Sequence, residues 1–157
     1  MSFVSLATAI KNKLSSITGI TDVNSFVAVY DYPPKDSEMT GFPLAVVLDA
    51  ELQSSFDTTA DNAREYTFSI FLIDSIEDPS NADAIKNAYQ TMRKVVDKVL
   101  DTFDNDQTLS GAANWTFPAP VVMNQRVDLP NGEGLLAEIR LRCRKDFTTS
   151  YPFLIVF

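Results

Sequence analysis

The chain has 157 residues, of which 45% are apolar and 22% are charged, a composition typical of a folded domain and unlike that of a disordered chain. A chain of this length can bury one sizeable core, so we expect a single domain. Its net charge of −8 disfavours a surface built to neutralise the phosphates of nucleic acids, because such surfaces concentrate lysine and arginine.

The first part of the chain predicts one helix and two strands. Apolar residues recur at three- and four-residue steps in residues 3–17, and Gly19 lies just beyond them, which is typical of an amphipathic helix and its end. Residues 26–30 predict a short strand. Residues 44–48 form a continuous apolar run, and a run this short favours a buried strand over a helix.

The middle of the chain predicts a further strand and the longest helix. Residues 64–74 predict the strand, and the polar residues 51–62 before it predict a hairpin loop or tip whose one aromatic side chain is Phe56. Residues 78–81 carry a helix start signal, and the helix is expected to reach about residue 101. Its apolar stripe consists of Ile85, Tyr89, Met92, Val96, Val99 and Phe103.

The last part of the chain predicts two strands, residues 115–127 and 135–147, joined by a hairpin turn at residues 131–134 where glycines allow positive φ. Apolar and charged residues alternate in the second of these strands, so one of its faces belongs to the core and the other is charged. Cys143 falls in the apolar register and is expected to be a core residue. Arg140, Arg142 and Arg144 fall in the other register and form a solvated or partner-facing stripe.

The predicted order of elements is α-β-β-β-α-β-β. This order suits an α+β fold: one mainly antiparallel sheet of about five strands with two helices packed on one face. We expect one domain in residues 1–147, followed by an apolar C-terminal tail in residues 148–157.

The sequence offers little for catalysis. It contains no histidine, which removes the usual general base and the commonest metal ligand. We therefore expect no enzymatic activity, no cofactor and no metal site. Residues 104–106 resemble the opening of a calcium loop, but Leu109 stands where glycine is needed and Trp115 stands where glutamate is needed.

The tail predicts a contact with another surface. It carries five consecutive large apolar residues: Phe153, Leu154, Ile155, Val156 and Phe157. Such a run promotes aggregation when it is exposed to water. We expect it to be buried, either as an edge strand of its own sheet or on a neighbouring subunit.

The sheet itself also predicts a partner. In residues 64–74, Phe68 and Ile70 fall on one face of the strand, while Phe71 and Ile73 fall on the other. Two helices cover only one face. An identical subunit is the expected cover for the apolar part of the second face.

Several of these segments, in this order, resemble the tail terminator (tail completion) proteins of long-tailed bacteriophages. The resemblance covers residues 3–147. It includes the strand that ends in YDYPP at residues 30–34, the GFP that opens a strand at residues 41–43, the loop FDTT at residues 56–59, the strand REYTFSI at residues 64–70, the long helix and the final hairpin.

The resemblance implies a hexameric ring that sits on the last ring of the tail tube, stops its growth and contacts neck or connector proteins. DNA would pass through the channel without specific binding, and the protein would lie in the virion after synthesis in the host cytoplasm. Phe56 and Asp57, in the loop, are interface candidates. Two alternatives stay open: a neck or head-completion protein and, from another class, a small enzyme or ligand-binding domain.

Overall fold

Two helices and five strands make up the part of the chain that the computed structural model describes, residues 3–20, 25–56, 61–130 and 132–148. In chain order they are α1 (Phe3–Ser15), β1 (Ala28–Tyr30), β2 (Leu44–Phe56), β3 (Asp61–Ser75), α2 (Ala82–Asp104), β4 (Trp115–Leu129) and β5 (Gly132–Thr148). One turn of 3₁₀ helix, Asp36–Glu38, lies between β1 and β2. The predicted order of elements is confirmed.

The five strands form one sheet in the order β1-β2-β3-β5-β4. β1 runs parallel to β2, and every other neighbouring pair is antiparallel. β1 and β4 are therefore the two edge strands. The predicted α+β class, with a mainly antiparallel sheet, is confirmed.

Both helices cover the same side of the sheet, which we call the inner face. The helix residues against it are Leu6, Ile10 and Leu14 of α1 and Met92, Val95, Val96, Val99 and Phe103 of α2. Opposite them, the β5 residues Leu135, Ala137, Ile139, Leu141 and Cys143 are fully buried. The alternation predicted for β5 is thus confirmed. Burial raises the pKa of the Cys143 thiol to about 12, so the thiol stays protonated at neutral pH.

The start of α2 follows from its capping residue. The side chain of Asn81 accepts hydrogen bonds from the backbone N–H groups of Asp83 and Ala84 at 2.9 and 3.4 Å. These are donors that the first turn of a helix cannot satisfy internally, and such a cap contributes about 1 kcal/mol. The predicted start signal at residues 78–81 is confirmed.

The hairpin of β2 and β3 is longer than the sequence predicts. Residues 51–56 belong to β2, and Asp61 already belongs to β3, so the prediction of a loop over residues 51–62 is wrong for most of its length. The reason is pairing: β3 is hydrogen-bonded on both sides, to β2 and to β5, along this stretch. Polar side chains are tolerated because the strands extend into solvent there.

The turn between β4 and β5 is shorter than predicted. Leu129 pairs with Gly132, so Gly132 and Gly134 belong to β5 and not to the turn. Gly134 is needed for close packing instead. A Cβ atom at this position would lie 2.4 Å from the backbone oxygen of Asp74 and 2.5 Å from Cδ1 of Leu129.

Within the described ranges, neither helix has the length and apolar character required to cross a membrane.

Candidate assembly surfaces

The side of the sheet opposite the helices, which we call the outer face, has an apolar corner. Leu44, Val46 and Ile73 form a small buried cluster there. Tyr30, Met39 and Phe42, from β1 and the loop after it, pack against this cluster. Part of the apolar surface for which the sequence predicted a second subunit is therefore covered by the chain itself.

Hydrogen bonds to one residue, Glu38, stabilise the covering loop. Tyr30 donates its hydroxyl to the backbone oxygen of Glu38 at 3.0 Å, and Tyr32 donates its hydroxyl to the Glu38 carboxylate at 2.6 Å. The backbone N–H of Lys35 donates to the same carboxylate at 3.0 Å. Hydrogen bonds to its charged form lower the pKa of Glu38.

Farther along the outer face, the three predicted arginines lie together on β5. Arg142 is hydrogen-bonded to Glu65. Arg140 lies 3.3 Å from Glu138. Their common register on β5 is as predicted, and contact of this stripe with a partner stays a prediction.

Neighbouring groups complete this charged surface. Arg144 lies 2.9 Å from Asp146, so each of the three arginines has a carboxylate beside it. The guanidinium of Arg142 also lies 5.9 Å from the centre of the Trp115 ring, within the range of a cation–π contact. The stripe therefore carries little net positive charge, which makes it a poor site for phosphates.

Exposed apolar side chains are concentrated at the two edges of the sheet. At the β4 edge, Phe117, Val121 and Met123 are 56%, 50% and 44% exposed. At the β1–β2 edge the exposed residues are Val27, Tyr32 and Leu52. Only one of the seven large apolar side chains found exposed in the described ranges lies elsewhere, Val4 on α1.

The two edges differ in their main chains. β4 contains Pro118 and Pro120, and its pairing with β5 is interrupted on both sides of Val122. Asn124, with φ of 50°, lies in the second interruption. By contrast, β1 pairs with β2 only as far as Val46, and no strand in the described part of the chain pairs with the outer side of β2 beyond that residue.

The structure does not describe the side chains of three groups of predicted interface residues. Phe56 ends β2, but its side chain is not among the described ones, and Asp57 is not described. The same holds for the tail residues Phe153, Leu154, Ile155, Val156 and Phe157.

The exposed side chains of the β4 edge were missed by the sequence analysis. The signal was present, because two prolines within one predicted strand indicate an edge strand. Apolar residues of an edge strand are candidates for contact with a partner.

A cavity of about 170 Å³ lies beside the apolar corner, lined by Met39, Phe42, Leu129 and Glu133 among others. Glu133 is paired with Arg126. No three Cys, Asp or Glu side chains within the described ranges are grouped so that they could hold a metal ion.

Comparisons with known proteins give one kind of match. No protein-family model and no curated protein sequence matches the chain. Among solved structures, it is similar to the PVC sheath/tube terminator in the extended state, determined as part of an extracellular contractile injection system. The two share 13% sequence identity with a TM-score of 0.46, over 96% of this chain and 61% of that chain. The chain thus spans less than two thirds of that protein's length.

Proposed function

We propose that the protein is a structural subunit of the tail-terminator kind, which assembles head-to-tail into a hexameric ring, ends the growth of a tail tube and joins it to the connector of a DNA-filled head. The observation that carries the proposal is the position of the exposed apolar side chains at opposite edges of one sheet. The subunit number and the partners come from the sequence resemblance.

Opposite edges favour a ring because of symmetry. A contact between two different patches, one on each subunit, leaves a free patch at both ends of a pair, so further subunits can add. Such a chain of subunits closes when the rotation at each contact divides a full turn. A single apolar patch would instead favour a two-fold dimer.

The charge of the chain is compatible with a DNA channel. The arginines of the outer face lie beside carboxylates, and the net charge is −8. A ring of such subunits repels phosphates, so DNA passes without being held. The same distribution of charge disfavours a role that requires tight binding of nucleic acid.

The proposal is tested by Phe117→Ser at the β4 edge, with Val4→Ser as the matched control. Both side chains are exposed, but Val4 lies on α1 and not in an edge strand of the sheet. Loss of a central aromatic residue from an interface costs about 2 kcal/mol, so we expect Phe117→Ser to weaken subunit association roughly 30-fold. Val4→Ser should leave association unchanged.

Association is measured by native mass spectrometry and light scattering, with the purified chain alone and with tail-tube protein, because some rings close only on the tube. A closed ring that is lost in Phe117→Ser supports the proposal. A wild-type monomer under both conditions would contradict it, as would an equal effect of the two substitutions.

A further inference from the structure

The outer side of β2 is an unpaired strand edge in the described structure. Ten residues, 47–56, lie beyond the last residue that pairs with β1. An edge of this length presents a row of main-chain N–H and C=O groups that an added strand can satisfy. Leu52, which is 48% exposed, lies in the middle of it and would contact an apolar side chain of such a strand.

The opposite edge of the sheet cannot serve as that added strand. Pro118 and Pro120 lie within the paired part of β4, opposite Leu141 and Ile139. Prolines occur in an edge strand where the missing N–H would face outward. The first half of β4 therefore lacks two of the donors that pairing with β2 of another copy would need.

The position of the end of β5 indicates another candidate for the strand that adds to β2. β4 begins at Trp115, opposite Arg144, so β5 continues beyond β4 to Thr148. Asn114 lies beside this end of β5, and its side-chain oxygen accepts a hydrogen bond from the backbone N–H of Asp146 at 3.1 Å. Thr148, the last described residue, therefore lies where β5 itself borders the sheet, at the end where the tip of β2 also lies.

We propose that residues 149–157 of one copy add as a strand to the open edge of β2 in the next copy. This inference rests on the proposed head-to-tail ring, in which the β4 side of one subunit meets the β1–β2 side of its neighbour. The neighbour's open edge then faces the departing chain. To reach the open edge of β2 in its own subunit, the chain would have to reverse and cross β3 and β2. That edge position lies three strand spacings, about 14 Å, from β5.

Length and composition fit this strand. Nine extended residues span about 30 Å, close to the length of the ten-residue open edge. Of the five apolar residues in the segment, Phe153, Ile155, Val156 and Phe157 are aromatic or β-branched, the types that favour strands over helices. Pro152 removes one donor from this strand, and it lies ahead of the five consecutive apolar residues, all of which keep theirs.

Two variants separate the two halves of the contact. The first lacks residues 153–157. The second blocks the open edge with a proline, at either Gln53 or Ser54. Neighbouring residues of a strand direct their N–H groups to opposite sides. One of the two substitutions, Gln53→Pro or Ser54→Pro, therefore breaks a hydrogen bond to β3, and the other removes only a donor on the open edge. The proline variant that retains the wild-type melting temperature is the edge-blocked one. If both lose stability, Leu52→Lys, which sets a charge against the incoming strand, replaces them.

Each variant alone should associate about tenfold more weakly than the wild type, or worse. An equimolar mixture should regain heterodimers of wild-type strength, because the tail of the edge-blocked copy fits the intact edge of the tail-less copy. A mixture that is no stronger than its components would overturn the proposal. Native mass spectrometry distinguishes the species, since the tail-less copy is lighter.

Hydrogen exchange of residues 51–54 distinguishes a neighbour's tail from the chain's own. We expect protection that rises with protein concentration and disappears in the tail-less variant. Protection that persists in the dilute monomer would show docking within one subunit and refute the proposal. If Phe117→Ser weakens association but deletion of the tail does not, the proposed ring is supported and the exchange of strands is contradicted. If only deletion of the tail weakens association, the exchange is supported and the proposed contact through β4 is contradicted.

Discussion

The inner and outer faces of the sheet are built from the same strands but are stabilised in different ways. On β5, Ile139 faces the helices and is fully buried, whereas its neighbour Arg140 is exposed beside Glu138. The inner face gains its stability from apolar area removed from water. The outer face carries ion pairs at the surface, which contribute little to folding and remain available to a partner. The comparison separates residues that fold the subunit from residues that can assemble it.

Of the substitutions that test the difference between the two faces, Ile139→Ala is expected to have the largest effect on folding stability. Removing most of a fully buried side chain leaves a cavity in a core that cannot fully relax, so we expect the free energy of unfolding to fall by 2 to 5 kcal/mol, roughly. Arg140→Ala, one residue away on the outer face, should change it by less than about 0.5 kcal/mol. Denaturant unfolding at fixed protein concentration measures both. Equal losses in the two variants would show that the faces do not differ as described.

A smaller effect is expected at Asp74, a carboxylate in the inner register of β3 opposite Leu135. Burial raises its pKa, because the charged form loses hydration. The folded state therefore holds this proton more tightly than the unfolded state, and stability falls as pH rises from the unfolded pKa through the folded one. Above that window the full penalty is present.

Asp74→Asn should accordingly raise the melting temperature at neutral pH. It should have little effect near pH 3, about one unit below the ordinary pKa of aspartate, because the Asp74 carboxyl is then protonated in both the folded and the unfolded state. Asparagine can still accept the hydrogen bond that the backbone N–H of Ser75 donates at 2.9 Å. The control is Asp128→Asn, at an exposed residue of β4. A gain of the same size at both pH values would show that charge is not the cause.

The smallest effect is expected for the Arg142–Glu65 pair on the outer face. The Arg142 side chain is half exposed, so solvent screens the interaction. A double-mutant cycle with Glu65→Gln and Arg142→Gln should give a coupling energy of about 0.2 to 1 kcal/mol that shrinks in high salt. A salt-independent coupling well above this range would mean that the outer face contributes to folding as the inner face does.

The sequence predicted those parts of the fold where one pattern decides the structure. Alternation in β5 assigned Ile139 and Cys143 to the core and Arg142 to the other face, because side chains of a strand point alternately to its two sides. The cap at Asn81 and the apolar stripe to Phe103 predicted α2 for a similar reason: local spacing and local hydrogen bonding are sufficient to define a helix.

The rest depended on pairing between distant segments. Residues 51–56 are polar enough to resemble a loop and become a strand because β3 offers them a partner. The apolar corner at Leu44 is covered by Met39 and Phe42, a packing that periodicity does not reveal. The exposed residues at the β4 edge, such as Phe117, were placed in a strand correctly, but the two prolines of that strand were not taken as the sign of a sheet edge.

Pro118 and Pro120 also give the subunit a polarity. Two copies that approach β4 to β4 gain no row of main-chain bonds in the first half of the strand, so a back-to-back, two-fold pairing of sheets is disfavoured. The unpaired stretch of β2 has no such obstacle. Strand addition at β4 is therefore suppressed, the open edge of β2 is the one left for it, and an open-ended fibre of sheets fused through β4 is disfavoured by the same two residues.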